Sequence, residues 1–256
     1  MNYIKENIEN LTSLWRLAGD QSGINFQKTG YEFSWIPGSD WPNRLWFTNP
    51  INSNGYSSAI EQAKMHNLGI SIWDGIEITN VMLESEGFII KSELTGMTLS
   101  LENLNSKSKT LEMEPVSNFL EASEWSSLFQ EAFGYKIDSY TIVKISNVVN
   151  FYIARHNHEA VGTAVLFQNK PEVAGIHSMG IIPSMRRKGY AEEMLLNVLE
   201  AGKEKGARLA TLQASEMGKG LYLKTGFQEQ FKFKTYNYKI QNNNESNREL
   251  KMAIRH

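Results

Sequence analysis

The stretch from Val173 to Gly206 constrains the fold of this chain most, because a strand, a basic loop and an amphipathic helix follow one another directly. The apolar strand ends at Pro183. From Ala191, apolar residues recur at the i, i+3, i+4, i+7 spacing of one buried helix face. Gly206 closes the helix, since glycine is the preferred residue just after a helix end. The pattern predicts an α/β domain with a helix packed on a sheet.

The loop of this unit, PSMRRKGY at positions 183–190, has the chemistry of an anion site. Backbone N–H groups at a helix N-terminus point at one spot, and the positive end of the helix dipole lies behind them. Gly189 lets the main chain approach a ligand closely, and three cations stand beside it: Arg186, Arg187 and Lys188. No Gly-Lys-Ser/Thr follows, so the loop is not a Walker loop. It does not match the Rossmann fingerprint either. We expect it to bind phosphate.

Composition places the chain among folded, soluble proteins of one or two domains. It has 256 residues, of which 41% are hydrophobic and 21% charged, which excludes disordered and coiled-coil chains. The formal net charge of -2 provides no bulk attraction to nucleic acid or to anionic membranes. No cysteine is present, which excludes disulfides, thiolate metal sites and cysteine nucleophiles. We expect a cytoplasmic protein that binds neither nucleic acid nor membrane.

The chain divides into two parts of different character. Five of its six tryptophans lie before residue 74, and the polar segment 103–110 reads as a linker. We therefore predict one lobe over residues 1–110 and a second over 111–256. A hairpin is predicted to turn at His156-Asn157-His158-Glu159. Its two histidines could share a metal, but nothing completes a ligand set, so we expect solvated histidines and no metal.

The loop and its neighbours resemble a known family. Arg186-x-x-Gly189-x-Ala191 is similar to the Arg/Gln-x-x-Gly-x-Gly/Ala loop of the GNAT superfamily of acyl-CoA N-acyltransferases. Ile181-x-Pro183 is similar to the end of the preceding strand in that family, and Tyr222-x-x-x-Gly-Phe to a later motif. The resemblance covers about residues 111–239. It implies an α/β fold with a mixed, mostly antiparallel sheet flanked by helices.

The resemblance also implies that the chain uses acetyl-CoA as co-substrate. Loop N–H groups from Arg187 to Glu192 would hold the pyrophosphate, and the edge of the preceding strand would pair with the pantetheine amides. The implied CoA-binding residues are Met179, Gly180, Ile181, Arg186, Arg187, Lys188, Gly189, Tyr190, Ala191, Glu192 and Ser215. For Ser215, a role as helix N-cap is an equal alternative.

For the chemistry, the resemblance implies direct attack of an amine on the thioester, with no covalent enzyme intermediate. Tyr222 stands where many relatives place the acid that protonates the leaving thiolate; its alternative role is packing. The resemblance does not assign one general base, because Gly175 occupies the position of a glutamate found in some relatives. His177 lies two residues later on the same strand face. It matches a histidine of arylalkylamine N-acetyltransferases, but a core histidine, with water as the base, is an equal alternative.

The first lobe resembles a degenerate copy of the second. Gly87-Phe88 and Gly226-Phe227 each precede a strand, 139 positions apart, and the order of helices and strands repeats. The first lobe has no Arg-x-x-Gly-x-Ala loop, and Leu83 stands in place of Tyr222. We therefore expect tandem GNAT-like lobes, of which only the second binds CoA.

These features together favour an N-acetyltransferase that moves an acetyl group from acetyl-CoA to a primary amine. The acceptor is a small molecule or a peptide amine, and the sequence does not distinguish them. The rival hypothesis is a non-catalytic acyl-CoA sensor, which the retained Tyr222 disfavours. Oligomeric state is not readable from the sequence.

Overall fold

The computed structural model describes residues 2–48, 50–102, 104 and 110–239. The predicted linker at 103–110 and the tail at 241–256 lie largely or wholly outside these residues. The helices are α1 (Tyr3–Ser22), α2 (Ser53–Met65), α3 (Asn80–Ser85), α4 (Phe119–Phe133), α5 (Ser139–Ile145), α6 (Tyr190–Glu204) and α7 (Glu216–Thr225). The strands are β1 (Ile24–Lys28), β2 (Tyr31–Trp35), β3 (Arg44–Phe47), β4 (Gly69–Trp73), β5 (Phe88–Ser100), β6 (Glu112–Pro115), β7 (Asn150–His156), β8 (Glu159–Lys170), β9 (Val173–Ile181), β10 (Leu209–Ala214) and β11 (Gln228–Tyr238). In this part of the chain, no helix is long and apolar enough to span a membrane.

All eleven strands form one sheet in the order β1-β2-β3-β4-β11-β5-β10-β9-β8-β7-β6. Neighbouring strands are antiparallel except for two parallel pairs, β3 with β4 and β9 with β10. The predicted mixed, mostly antiparallel sheet is confirmed. The structure adds that both halves share it, because β11 pairs with β4 and β5 while β5 pairs with β10 and β11. The division at residue 110 stays a prediction.

Helices cover both faces of the sheet. On β8, Val165 packs into a hydrophobic cluster with α4 and α5, whereas its neighbour Leu166 packs into a cluster with α6. Because successive side chains of a strand point to opposite faces, these helices lie on opposite sides. Leu14 and Ala18 of α1 belong to the cluster of α4 and α5, so the N-terminal helix shares their face. The core is therefore two apolar layers, one on each side of the sheet.

The register between β5 and β11 is symmetric about one residue pair. Phe233 pairs with Leu94, and these residues are 139 positions apart. Moving Thr98 forward and Gln228 back by the same separation gives Asn237 and Ile89, and this pair is also observed. The irregularities in the two strands, at residues 91 and 230, are related in the same way. This register is what a repeated unit would produce, and the common origin of the halves stays a prediction.

Candidate active site

The two parallel strands β9 and β10 separate part-way along their length. They pair only from Val173 to Gly175, opposite Leu209 to Thr211. Beyond Gly175, β9 continues to Ile181 with β8 on its other side. In the described chain no strand pairs with the β10-facing edge of that segment, which includes Met179, Gly180 and Ile181. Apart from the carbonyl of Ile181, which accepts from Arg186 Nε, the main-chain groups on this edge are therefore available to an extended ligand between the strands.

A β-bulge lies on β9 in the separated region. Val165 of β8 pairs with His177 and Thr163 pairs with Gly180, so two residues of β9 oppose one of β8. Ser178 takes a φ of 49°, and its carbonyl accepts a hydrogen bond from Thr163 Oγ1 at 3.2 Å. A bulge bends its strand and reorients the residues beside it. The main chain at Met179 therefore departs from regular strand pairing.

The loop after β9 has the geometry of an anion-binding nest. Arg187 and Gly189 have φ values of 63° and 86°, separated by one residue, and α6 begins at Tyr190. Left-handed residues alternating with others turn successive N–H groups toward one point. Among the described residues, no acceptor is found for the N–H groups of residues 187–191. A Cβ at Gly189 would meet nothing within 4 Å, so the space beside the loop is open.

The N–H of Glu192, which is also expected at the phosphate from the sequence, has an acceptor within the chain. This N–H donates to the carbonyl of Gly189 at 3.1 Å, because the first turn of α6 closes on itself. The available N–H groups therefore end at Ala191 rather than at Glu192. The Glu192 carboxylate lies 2.6 Å from Lys224 Nζ, which ties α6 to α7.

The three cations of the loop have different environments. Arg186 donates from Nε to the carbonyl of Ile181 and from Nη2 to that of Ala132, both at 3.0 Å. Its guanidinium thus joins the loop to the end of β9 and to α4, and its contribution here is to position the loop. Arg187 and Lys188 are exposed beside the nest, where their charges add to the attraction for an anion.

Tyr222 lies on α7, which contacts β10. Its ring meets Phe227 edge-on, with centroids 5.7 Å apart. Burial raises the pKa of Tyr222 to about 12, so the phenol keeps its proton at neutral pH. A phenol that stays protonated is suited to donate a hydrogen bond or a proton, so both proposed roles, packing and acid, fit this position.

Ser215 caps the helix that carries Tyr222. Its Oγ accepts a hydrogen bond from the N–H of Gly218 at 3.2 Å. The N-cap alternative therefore explains this residue, and a contact with CoA stays a prediction.

His177 lies in the separated part of β9 and is only 9% exposed. Its Nε2 lies 2.8 Å from Oδ1 of Asn10 on α1. Burial lowers the pKa of His177 from 6.5 to about 4, so the ring is neutral near pH 7. The histidine is thus both hydrogen-bonded in the interior and next to the separated strands. Nε2 is occupied, so a role as base would fall to Nδ1.

We expect His177 to make stability depend on pH. The unfolded chain takes up the imidazole proton first, so stability present above pH 6.5 is lost as the pH falls toward 4. Between pH 7 and pH 5, the free energy of unfolding of the wild type should fall by about 2 kcal/mol more than that of His177→Gln. Urea titration at both pH values measures the difference. Equal losses in the two proteins would contradict a buried neutral imidazole.

Sequence reasoning missed the contribution of α1 to this region. Asn7 donates from Nδ2 to the carbonyls of Leu212 and Met97, at 3.1 and 3.0 Å, and accepts from Gln213. Asn10, one turn later, contacts His177. Both asparagines are fully buried. The sequence does contain a signal for this contact, since Asn7 and Asn10 lie three residues apart on the helix face that carries Leu11 and Leu14. Amides on a buried face require specific hydrogen-bond partners.

Comparisons with known proteins agree with this geometry. The profile of the acetyltransferase (GNAT) family matches residues 117–227. No protein with curated annotation matches the sequence. Among solved structures, a GCN5-related N-acetyltransferase from Kribbella flavida is similar with a TM-score of 0.69 and 15% identity, covering 94% of this chain and 98% of that one. A GCN5-related N-acetyltransferase-like protein from Streptococcus suis is similar with a TM-score of 0.59 and 12% identity, covering 91% and 100%.

A conserved protein of unknown function from Staphylococcus epidermidis is similar with a TM-score of 0.60 and 18% identity, covering 84% of this chain and 93% of that one. At such identities these structures show a shared fold, and the coverage means that the first half is part of it. The family match includes β9, the loop at residues 183–189, α6 and Tyr222. Residues 117–227 therefore match the acetyltransferase (GNAT) family as one domain.

Proposed function

We propose that the protein transfers an acetyl group from acetyl-CoA to a primary amine. One observation carries the proposal: in the part of the chain that the structure describes, the N–H groups of residues 187–191 have no acceptor, and they begin a few residues beyond the edge of β9 that no strand pairs with. A pyrophosphate on the loop and an extended pantetheine along Met179, Gly180 and Ile181 would lie on one continuous path. The thioester would then reach the separated strands between His177 and Tyr222.

The chemistry follows from this placement. The amine nitrogen attacks the thioester carbonyl carbon, the C–S bond breaks, and the amine loses a proton to a base or to water. A strand N–H of β9 stabilises the developing oxyanion, as preorganised donors do in acyl transfer. Tyr222 donates its proton to the leaving thiolate and regains one from solvent. No covalent enzyme intermediate is required, and positioning of the two substrates provides much of the rate.

A screen of acceptor amines tests the proposal. Acetyl-CoA is incubated with panels of small primary amines and of peptides with free amines, and release of CoA thiol is measured. Thiol release that depends on the amine, with acetylated product found by mass spectrometry, is the expected result. Tight binding of acetyl-CoA without transfer to any amine would contradict the proposal and favour a sensor.

We expect one CoA site per chain. The first half shares the sheet but lacks the Arg-x-x-Gly-x-Ala motif, so it has no matching loop for a pyrophosphate. Isothermal titration of the full chain with CoA should give a stoichiometry of one. A stoichiometry of two would show that the first half binds CoA as well.

A further inference from the structure

The contact between α1 and β9 brings a buried amide against a buried imidazole. Asn10 is fully buried, and Asn10 Oδ1 lies 2.8 Å from His177 Nε2. The two residues are 167 positions apart, so only the docking of the N-terminal helix places them together. Gly175 makes this approach possible, since a Cβ there would lie 1.7 Å from Asn10 Oδ1.

The orientation of the Asn10 amide follows from its other partners. Nδ2 lies 3.0 Å from the carbonyl oxygen of Phe167, which only accepts hydrogen bonds. Nδ2 also lies 2.8 Å from Asn169 Oδ1. Both amide protons are therefore used, and Oδ1 is the atom that faces the imidazole.

The amide in turn determines the tautomer of His177. An amide oxygen accepts and never donates, so the hydrogen bond to Asn10 requires a proton on Nε2 of His177. In a neutral imidazole the other nitrogen, Nδ1, then carries the lone pair. The contact with α1 therefore determines which ring nitrogen carries a proton and which one accepts a proton.

We propose that Asn10 is a positioning residue for acyl transfer, which holds His177 as the Nε2–H tautomer so that Nδ1 takes the proton of the acceptor amine. This inference rests on the proposed function. The attacking nitrogen gives its proton to Nδ1, and the imidazolium that forms keeps its Nε2–H bond to Asn10. The proton then leaves to solvent. Part of the catalytic geometry is thus supplied by the first half of the chain.

Asn7 provides a matched control. It lies on the same face of α1, is as fully buried as Asn10, and also donates to main-chain carbonyls. Its Oδ1 accepts from Gln213 and not from His177. Replacing Asn7 by alanine should cost stability of a similar kind without changing the tautomer of His177.

The first test reads the tautomer directly and needs no substrate. The full chain is labelled with ¹⁵N-histidine, and two-bond ¹⁵N–¹H correlation spectra are recorded at pH 7, with His177→Gln to assign the signal. The wild type and Asn7→Ala should show the Nε2–H form. Asn10→Ala should show a second population with the proton on Nδ1. A wild-type ring protonated on Nδ1, or an unchanged tautomer in Asn10→Ala, would overturn the inference.

The second test measures turnover. Asn10→Ala should lower kcat by about tenfold or more with little change in the KM for acetyl-CoA, because a wrong tautomer removes the proton acceptor. Asn7→Ala, which leaves the tautomer unchanged, should keep a kcat well above that of Asn10→Ala, and thermal melts show whether each variant is folded. Full turnover in Asn10→Ala would overturn the positioning role while leaving acetyl transfer intact. Failure of the wild type to acetylate any amine would instead overturn the proposed function, and with it this role, whatever the tautomer.

Discussion

Gly189→Glu is expected to weaken CoA binding by about 100-fold or more while the protein stays folded. The substitution puts a carboxylate beside the N–H groups of residues 187–191, where a pyrophosphate would sit, and like charges repel strongly at such distances. It also fills the space into which Gly189 now opens. Isothermal titration calorimetry with CoA measures the affinity, and a thermal melt measures folding.

Gly75→Glu is the matched control for this experiment. Gly75 also has a left-handed φ, 91°, and a Cβ there would likewise meet nothing within 4 Å. Both substitutions therefore introduce the same charge and a comparable backbone strain of about 1–2 kcal/mol. Only the substitution at Gly189 should weaken CoA binding. Unchanged affinity in Gly189→Glu, or an equal loss in Gly75→Glu, would remove the loop from the site.

Tyr222→Phe is expected to lower turnover by about 10²-fold or more with little change in CoA affinity, because general acid–base steps contribute about 10²–10⁴. The substitution removes one hydroxyl and keeps the ring that packs against Phe227. Thiol release under saturating acetyl-CoA and amine measures turnover, and titration measures CoA affinity.

Tyr152→Phe serves as the comparison for Tyr222→Phe. Tyr152 packs against the same hydrophobic cluster, and burial raises its pKa as well. It lies on β7, on the far side of β8 from the separated strands. Its loss of a hydroxyl should leave turnover unchanged. If Tyr222→Phe were as active as Tyr152→Phe, Tyr222 would be a packing residue.

Local patterns were sufficient to predict the strand, the loop and the helix that form the candidate site. The i, i+3, i+4 stripe of α6, the glycine of the loop and the strand before it all lie within about thirty residues, and each acts through its immediate neighbours. The hairpin predicted at residues 156–159 is confirmed by the pairing of His156 with Glu159.

Residues distant in sequence could not be placed in the same way. The equal alternatives for Ser215 and His177 depended on which partners stood opposite them, and no periodicity within β9 or α7 contains that information. The structure supplies Gly218 as the partner of Ser215 and Asn10 as the partner of His177. The guanidinium of Arg186 is predicted to provide positive charge for the anion. In the structure it donates hydrogen bonds to two main-chain carbonyls.

The sequence by itself determined the resemblance to the GNAT family and the strand-loop-helix unit, because these depend on short-range spacing and on side-chain chemistry. Only the tertiary structure decided that both halves build one sheet, with β5 between β10 and β11. It also decided that α1 brings Asn10 to His177. The pairing of strands from the two halves and the docking of α1 depend on contacts between residues more than a hundred positions apart. The free energy of such contacts comes from burial that local sequence patterns do not specify.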